Sequence, residues 1–233
     1  MFHVLNVNYG EILLAKFDVS TPEGRKLAWD DYWWKDHAFL RENFQNAHQI
    51  SDKMWRTNQP SPEQLEVWRD KGIKTIVNLR GDTDSSFTAL EKEACEKLGL
   101  NLLFFKVESR GAPDPEIMRP LEAALKTLEY PALMHCKSGA DRAGFASVFY
   151  LYRIEGLPLA EARKQLALKY LHVSAGKTGI LGHFWDEYAK AEAVTGIEFW
   201  DWVDNVYDRV KLRAEFKPTP VGSWLVDRVL GRE

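Results

Sequence analysis

The chain predicts an α/β fold: a central, mainly parallel sheet flanked by helices, with helical extensions at its N- and C-terminal ends. Two observations predict it. From residue 48 onward, short apolar runs such as "IKTIVNL" and "ALMHC" alternate with longer segments of helical character, the pattern of parallel strands joined by crossover helices. In addition, 233 residues with 45% hydrophobic content suffice to bury such a sheet without disulfide staples.

The elements follow in order. "FHVLNV" and "EILLAKFDV" around the turn signal "NYG" predict a short hairpin. "STPEGRKLAWDDYWWKDHAFLRENF" predicts one helix, capped by Ser20 or Thr21 with Pro22 at its first position. "KMWRTN" is a strand, and "SPEQLEVWRDKG" is a helix with Ser61 as cap, Pro62 at its start and Gly72 as its stop. "IKTIVNL" is a buried strand, since Ile73, Ile76, Val77 and Leu79 form a short apolar run. The helix "FTALEKEACEKLG" and the strand "NLLFFKV" come next, then a polar loop and the helix "PEIMRPLEAALKTLEY", in which Pro120 falls early enough to be tolerated. The strand "ALMHC" leads to the helix "RAGFASVFYLYRIEG". "PLAEARKQLALKYL", "KTGILGHFWDEYAKAEA" and "IEFWDWVDNVYDRVKLRAEF" predict three amphipathic helices. The resulting organisation is an N-terminal extension (1–47), a main domain (48–195) and a C-terminal helical extension (196–233).

Composition excludes several function classes. A net charge of -3 argues against a nucleic-acid partner, which selects for clustered Lys and Arg. No run reaches the roughly 18 apolar residues of a membrane span, and "MFHVLNVNYGEILLAKFD" lacks the basic start and apolar block of a secretory signal. Cys95 and Cys136 are too few for a disulfide framework, so a cytoplasmic setting is expected. Neither a cofactor motif nor a histidine cluster at metal spacing is visible, so no cofactor and no metal are expected.

The segment "ALMHCKSGADRAG" carries the chemistry. Ligands of open α/β sheets sit at the carboxyl ends of strands, where "ALMHC" ends. Cys136 opens a tight turn and Arg142 closes it, with Lys137, Ser138, Gly139, Ala140 and Asp141 between them. Backbone N–H groups of a turn entering a helix converge on one spot and carry partial positive charge. Such a ring binds a tetrahedral dianion, to which Arg142 offers two parallel donors. The same field stabilises a thiolate at Cys136, poised for in-line attack on a bound phosphate. Gly139 and Gly144 permit the turn and close backbone approach.

"HCKSGADRAG" resembles the signature of the cysteine-based protein tyrosine phosphatase superfamily: His-Cys, five residues, Arg. It is most similar to the compact bacterial dual-specificity branch, and "MWRTNQPSPEQLEVWRDKGIKTIVNLRG" is similar to the front of that same domain. The likeness spans roughly residues 50 to 180. It implies a nucleophile at Cys136, a phosphate clamp at Arg142 and, at His135, a buried neighbour that supports the thiolate. The implied activity is hydrolysis of phosphate monoesters, from phosphotyrosine or another phosphoprotein, or from a small, lipid or inositol phosphate. A catalytically poor phosphate-binding module is the alternative.

The family usually draws its proton donor from an aspartate in a mobile loop some thirty residues before the cysteine. Here Asp114 lies 22 residues before Cys136 and Glu108 lies 28 before it. Asp141, just before the arginine, resembles the arrangement of myotubularin-type phosphoinositide phosphatases and is the first choice. Each has a plainer reading: Asp114 as a helix cap, Glu108 as a solvated charge, Asp141 as a partner of Arg142 or a helix N-terminal charge. Ala143 stands where the family often has Ser or Thr to help release the thiol; Ser138 is a weak substitute. Lys137 is shared with lipid and inositol phosphatases, whereas Ala140 lacks their second basic residue. Arg80, Arg110 and Lys177 fall at strand ends or loops from which they can contact substrate.

Trp29, Trp33, Trp34, Trp200, Trp202 and Trp224 lie outside the likeness. They are expected to pack the terminal helices on the domain or on a second subunit, with "GSWLVDRVLGR" as a possible amphipathic anchor. Cys95 is expected in the core of its helix, its alternative role being a resolving thiol for Cys136.

Overall fold

The structure, a computed structural model, describes residues 16–220 and Ser223. These residues form a five-stranded sheet of order β1-β2-β5-β3-β4, built from β1 (His48–Ser51), β2 (Met54–Asn58), β3 (Thr75–Asn78), β4 (Asn101–Phe104) and β5 (Ala132–Cys136). β2, β5, β3 and β4 run parallel, while β1 pairs antiparallel with β2 through a register shift between Gln49 and Ser51. The mainly parallel sheet matches the expectation. β1 carries no periodicity that marks a strand, because "HQIS" is short and mostly polar. β5 is central, and its register sets Cys136 beside Asn58 and His135 beside both Thr57 and Asn78.

The N-terminal segment differs from the single helix expected. It holds α1 (Pro22–Asp30), a π-helical turn (Asp31–Lys35) and α2 (Phe39–Glu42). Thr21 is the cap of α1, its side chain accepting from the Gly24 N–H. The break falls at His37, whose φ of 58° is left-handed and cannot continue a helix.

Two helical layers cover the sheet. On one face Leu133 and Ile76 meet Leu65 and Trp68 of α3 (Pro62–Asp70) and Ala94 and Cys95 of α4 (Ser86–Leu98). On the other, Met134 and Val77 join Met118 and Leu121 of α5 (Pro115–Thr127) and Phe145 and Phe149 of α6 (Asp141–Arg153). The alternation of neighbouring residues between the two cores is the period-2 geometry of a strand.

Two further segments break where one helix was expected. "PLAEARKQLALKYL" becomes α7 (Leu159–Ala162) and two 3-10 turns, Arg163–Gln165 and Leu168–Tyr170, ending at Leu171 with φ 65°. The last long segment divides into α9 (Phe199–Asn205) and α10 (Arg209–Glu215) after α8 (Ile180–Thr195). The division has a clear cause: Asp208 accepts from the N–H groups of Val210 and Lys211 and so caps a new helix. The hairpin expected around "NYG" falls largely in residues 1–15, which lie outside the described residues, as do Trp224 and nearly all of the proposed anchor. Among the described residues no helix is long and apolar enough to cross a membrane.

The α3 cap anchors the entry to the sheet. Ser61 is buried and accepts from the Gln64 N–H, while the Gln64 side chain accepts from the Ser61 N–H. Ser61→Ala is therefore expected to lower the unfolding free energy by about 1 kcal/mol, measured by urea titration; an unchanged midpoint would contradict the capping role.

Candidate active site

The site begins with the turn between β5 and α6. Four consecutive carbonyls in it are tied to the surrounding scaffold. Lys137 O accepts from the Gln59 N–H at 3.2 Å. Ser138 O accepts from Asn46 Nδ2 at 3.1 Å. Gly139 O and Ala140 O accept from Arg56 Nη2 at 2.6 and 2.9 Å. In a trans peptide the N–H points opposite the carbonyl. The N–H groups of Ser138, Gly139, Ala140 and Asp141 are thereby turned to the other side of the loop, a concavity suited to an anion.

Gly139 is required at the turn. Its φ is +71°, and a Cβ there would lie 2.7 Å from the Asn58 nitrogen and the Thr57 carbonyl carbon. Gly144 has a similar constraint, since a Cβ would come within 2.7 Å of Leu166. Cys136 is buried at the start of this loop. Arg142, half-buried on the first turn of α6, makes no side-chain hydrogen bond or ion pair among the described residues.

Arg56 supports the loop from below and is fully buried. Its Nη1 donates to both the backbone and side-chain oxygens of Gln165, at 2.7 and 3.1 Å, and its guanidinium stacks 4.3 Å from the Tyr170 ring centre. Burial brings this group down to about 10, against the opposing pull of Cys136, Tyr170 and Asp141. It therefore stays a cation at neutral pH. The irregular turns over residues 163–170 now have a physical reason, since they place Gln165 and Tyr170 on this arginine.

Next to Cys136 on β5, His135 is fully buried and its Nε2 lies 2.6 Å from Glu91 Oε1. Glu91 also accepts from Gln59 and Asn78, so both its oxygens are engaged. Beside the loop, Asp36 reaches in from the N-terminal segment. Its carboxylate takes two hydrogen bonds from Arg80, at 3.0 and 2.7 Å, and one from Arg41 at 2.6 Å, and lies 3.6 Å from Lys137 Nζ. Burial alone would push this carboxyl up. The hydrogen bonds and charge of Arg80, with the charges of Arg41 and Lys137, outweigh it and hold Asp36 below the usual carboxylate range.

The remaining residues singled out in the sequence take distinct places. Asp141 is buried, with Oδ1 2.8 Å from His172 Nδ1. Asp114 caps α5 by accepting from the Glu116 N–H, and its other oxygen takes Arg209 at 2.7 Å. Glu108 keeps a carboxyl that is 57% exposed. Arg80 is buried on Asp36 with its guanidinium 3.4 Å above the Phe87 ring centre. Arg110 lies half-buried in the loop before α5, and Lys177 is exposed at the start of a 3-10 turn. Ala143 is fully buried, and its carbonyl accepts from Ser147. Cys95 sits in the smaller core while Cys136 belongs to the larger one, and burial pushes the Cys95 thiol up. That placement suits a core residue. Among the described residues no group of His, Cys, Asp and Glu is arranged to hold a metal ion.

Sequence reasoning missed Arg56, Asp36, Asn46, His172 and Glu91. Two of them left a signal. Arg56 is a charge within a strand of a parallel sheet, where both faces are covered. Glu91 lies four residues before the buried Cys95 and three after the buried Thr88, so it falls on the inward stripe of α4. Asp36, Asn46 and His172 lie in irregular segments whose path no periodicity reveals.

A family model described as "DSP-PTPase phosphatase fused to NAD+ Kinase" matches residues 33–173. The chain is similar to the dual specificity protein phosphatase TpbA of Pseudomonas aeruginosa, 25% identical over 114 residues, which cover 48% of each chain. It is similar also to the inositol diphosphatase DSP4 of Arabidopsis thaliana, 25% identical over 104 residues, covering 42% of this chain and 51% of the relative. The chain thus spans about half the length of the curated relatives it matches. The crystal structure of P. aeruginosa TpbA superposes with a TM-score of 0.49 at 18% identity, covering 73% of this chain and 89% of the other.

The Asp36 cluster makes a pH-dependent prediction. Because the folded value is lowered, its stabilisation is complete above the unfolded carboxyl value of about 3.9 and is lost as pH falls below that. Asp36→Asn should cost about 3 kcal/mol at pH 6, since buried cations lose their counter-charge. In urea titrations the gap to wild type should shrink below about pH 4. A gap independent of pH would contradict the ionic role.

Proposed function

The chain belongs to the family of DSP-PTPase phosphatases fused to NAD+ kinase, and on that premise we propose that it hydrolyses phosphate monoesters of phosphoproteins, phosphotyrosine foremost, through a phosphocysteine intermediate. The observation that carries this reading is the outward tethering of four successive loop carbonyls between Cys136 and Arg142. The amides are left to face a tetrahedral dianion, with the sulfur beneath it.

In the proposed reaction the Cys136 thiolate attacks phosphorus, an S–P bond forms and the bond to the leaving oxygen breaks. Loop amides and the Arg142 guanidinium hold the charge on the three equatorial oxygens. The leaving oxygen takes a proton from a carboxyl. Water then attacks phosphorus, its proton returns to that carboxylate, and the S–P bond breaks to release inorganic phosphate and the thiolate. Glu91 and the buried Arg56 serve as fixed charges that orient His135 and the loop.

Among the three carboxyls, Glu108 suits the proton donor best. Asp141 is engaged by His172 with its side chain 5% exposed, and both oxygens of Asp114 are occupied. Glu108 retains an accessible carboxyl on the loop that follows β4, at the same end of the sheet as Cys136. Asp141, first choice on sequence alone, fits better as the residue that fixes the start of α6 to His172.

A single phosphate suits the site better than a polyphosphate. Arg80, a candidate contact for a second phosphate, is buried on Asp36, and Lys137 is drawn to the same carboxylate. That favours a phosphoprotein over an inositol polyphosphate. The absence of a hydroxyl at Ala143 suggests slow breakdown of the intermediate.

The test is acid quenching during turnover of a phosphotyrosine peptide labelled with radioactive phosphate. Wild type should release phosphate and trap label on Cys136. Cys136→Ser should lose turnover by about a thousandfold or more. Glu108→Gln should slow release by about a hundredfold. Binding of the peptide without release in wild type would favour a phosphate-binding module, and faster release from an inositol phosphate would move the substrate class.

A further inference from the structure

Residues 207–209 lie beyond the matched stretch, yet they grip the loop that carries Glu108 and Asp114. Tyr207 Oη donates to the Pro113 carbonyl at 2.7 Å. Arg209 donates from Nε to Ala112 O at 3.3 Å and from Nη1 to Asp114 Oδ2 at 2.7 Å, while its Nη2 lies 3.9 Å from Glu108 Oε1. Inside the loop, the Glu108 carboxylate folds against Gly111. A Cβ on Gly111 would fall 1.7 Å from Glu108 Oε2, so any other residue would displace the carboxylate.

The gripping segment is itself firmly held. The Tyr207 ring packs edge-on to Phe184, with centres 5.0 Å apart, and against Trp202 at 5.2 Å. Trp202 is buried. Trp200 donates to Glu122 at 2.7 Å and lies under the Arg119 guanidinium at 4.1 Å. Asp208, between the two gripping residues, caps α10. Burial pushes the Tyr207 phenol up, so its hydroxyl remains a donor through neutral pH.

We propose that Tyr207 and Arg209 are positioning residues, through which the C-terminal extension sets the loop so that Glu108 delivers its proton to the leaving oxygen. This rests on the phosphatase reading above and on Glu108 as donor. A proton donor must come within hydrogen-bond reach of the departing oxygen, and a loop left free would lose that alignment in part of the ensemble. The two side chains supply the alignment before substrate arrives. As the bond to the leaving oxygen breaks, the Glu108 proton moves to that oxygen, and the carboxylate left behind faces the Arg209 cation.

The experiment uses the full chain and a series of aryl phosphates whose leaving phenols range from strongly acidic nitrophenols to ordinary phenols of pKa about 10. Tyr207→Phe keeps the packed ring and removes only the hydroxyl; Arg209→Ala removes the fork. In both variants kcat/KM, which reports the step that expels the leaving group even where breakdown of the intermediate limits kcat, should fall about tenfold for the poorest leaving group and under threefold for the most acidic, so the dependence on leaving group steepens while thermal unfolding of Tyr207→Phe stays near wild type. Equal losses across the series, or no loss, would overturn the inference. Absence of turnover by wild type on every substrate would instead sink the phosphatase reading itself.

Discussion

The hydrogen bonds from the buried Arg56 guanidinium to the carbonyls of Gly139 and Ala140 are the constraint on which the site depends. A tight turn at the end of a parallel strand has no intrinsic reason to point its amides one way. Here a cation fixed in the neighbouring strand takes two of its carbonyls, Asn46 takes a third and the Gln59 amide a fourth. Burying an arginine is costly unless its donors are used, and this one has oxygen acceptors and an aromatic face. The cost of burial and the order of the loop are thus two consequences of the same contacts.

Around that centre, parts of the chain far apart in sequence converge. The N-terminal segment contributes Asp36 and Asn46, the broken helical region after α7 contributes Gln165, Tyr170 and His172, and the C-terminal extension reaches the loop before α5. Their irregular backbone serves this convergence. His37 and Leu171 take left-handed conformations, at 58° and 65°, where the chain must turn back toward the site. Such positions are disfavoured for residues with a Cβ, and they occur here beside Asp36 and His172, which meet Lys137 and Asp141 of the turn. The aromatic residues of α8 and α9 form the packed base from which the last extension acts.

Much of the fold was legible in the sequence for a physical reason. Strands such as "IKTIVNL" and helices such as "SPEQLEVWRDKG" carry both periodicity and terminal signals, and Ser61 and Thr21 cap as their residue types require. The turn between Cys136 and Arg142 was legible because the cysteine, the five-residue spacing and the arginine stand at the end of an apolar strand, with a glycine where the backbone takes a positive φ. What could not be read was the use of polar residues against distant segments. Asp114 looks the same in sequence whether it donates a proton or caps a helix; only the Glu116 and Arg209 contacts distinguish the two. Asp36 is one acid in an acidic, Trp-rich stretch, and nothing local marks it as the counter-charge of Arg80 and Arg41. Long helices were overestimated for the same reason, since periodicity cannot show where a tertiary contact bends the chain.

In the proposed reading the amides of Ser138, Gly139, Ala140 and Asp141 face one bound tetrahedral oxyanion. The most direct test is a titration of the isotopically labelled Cys136→Ser protein with inorganic phosphate, following backbone N–H resonances by NMR. Saturable shifts are expected, largest at those four amides and at Arg142, with smaller ones elsewhere. Saturable binding that leaves these resonances in place, with shifts centred on another surface, would contradict it.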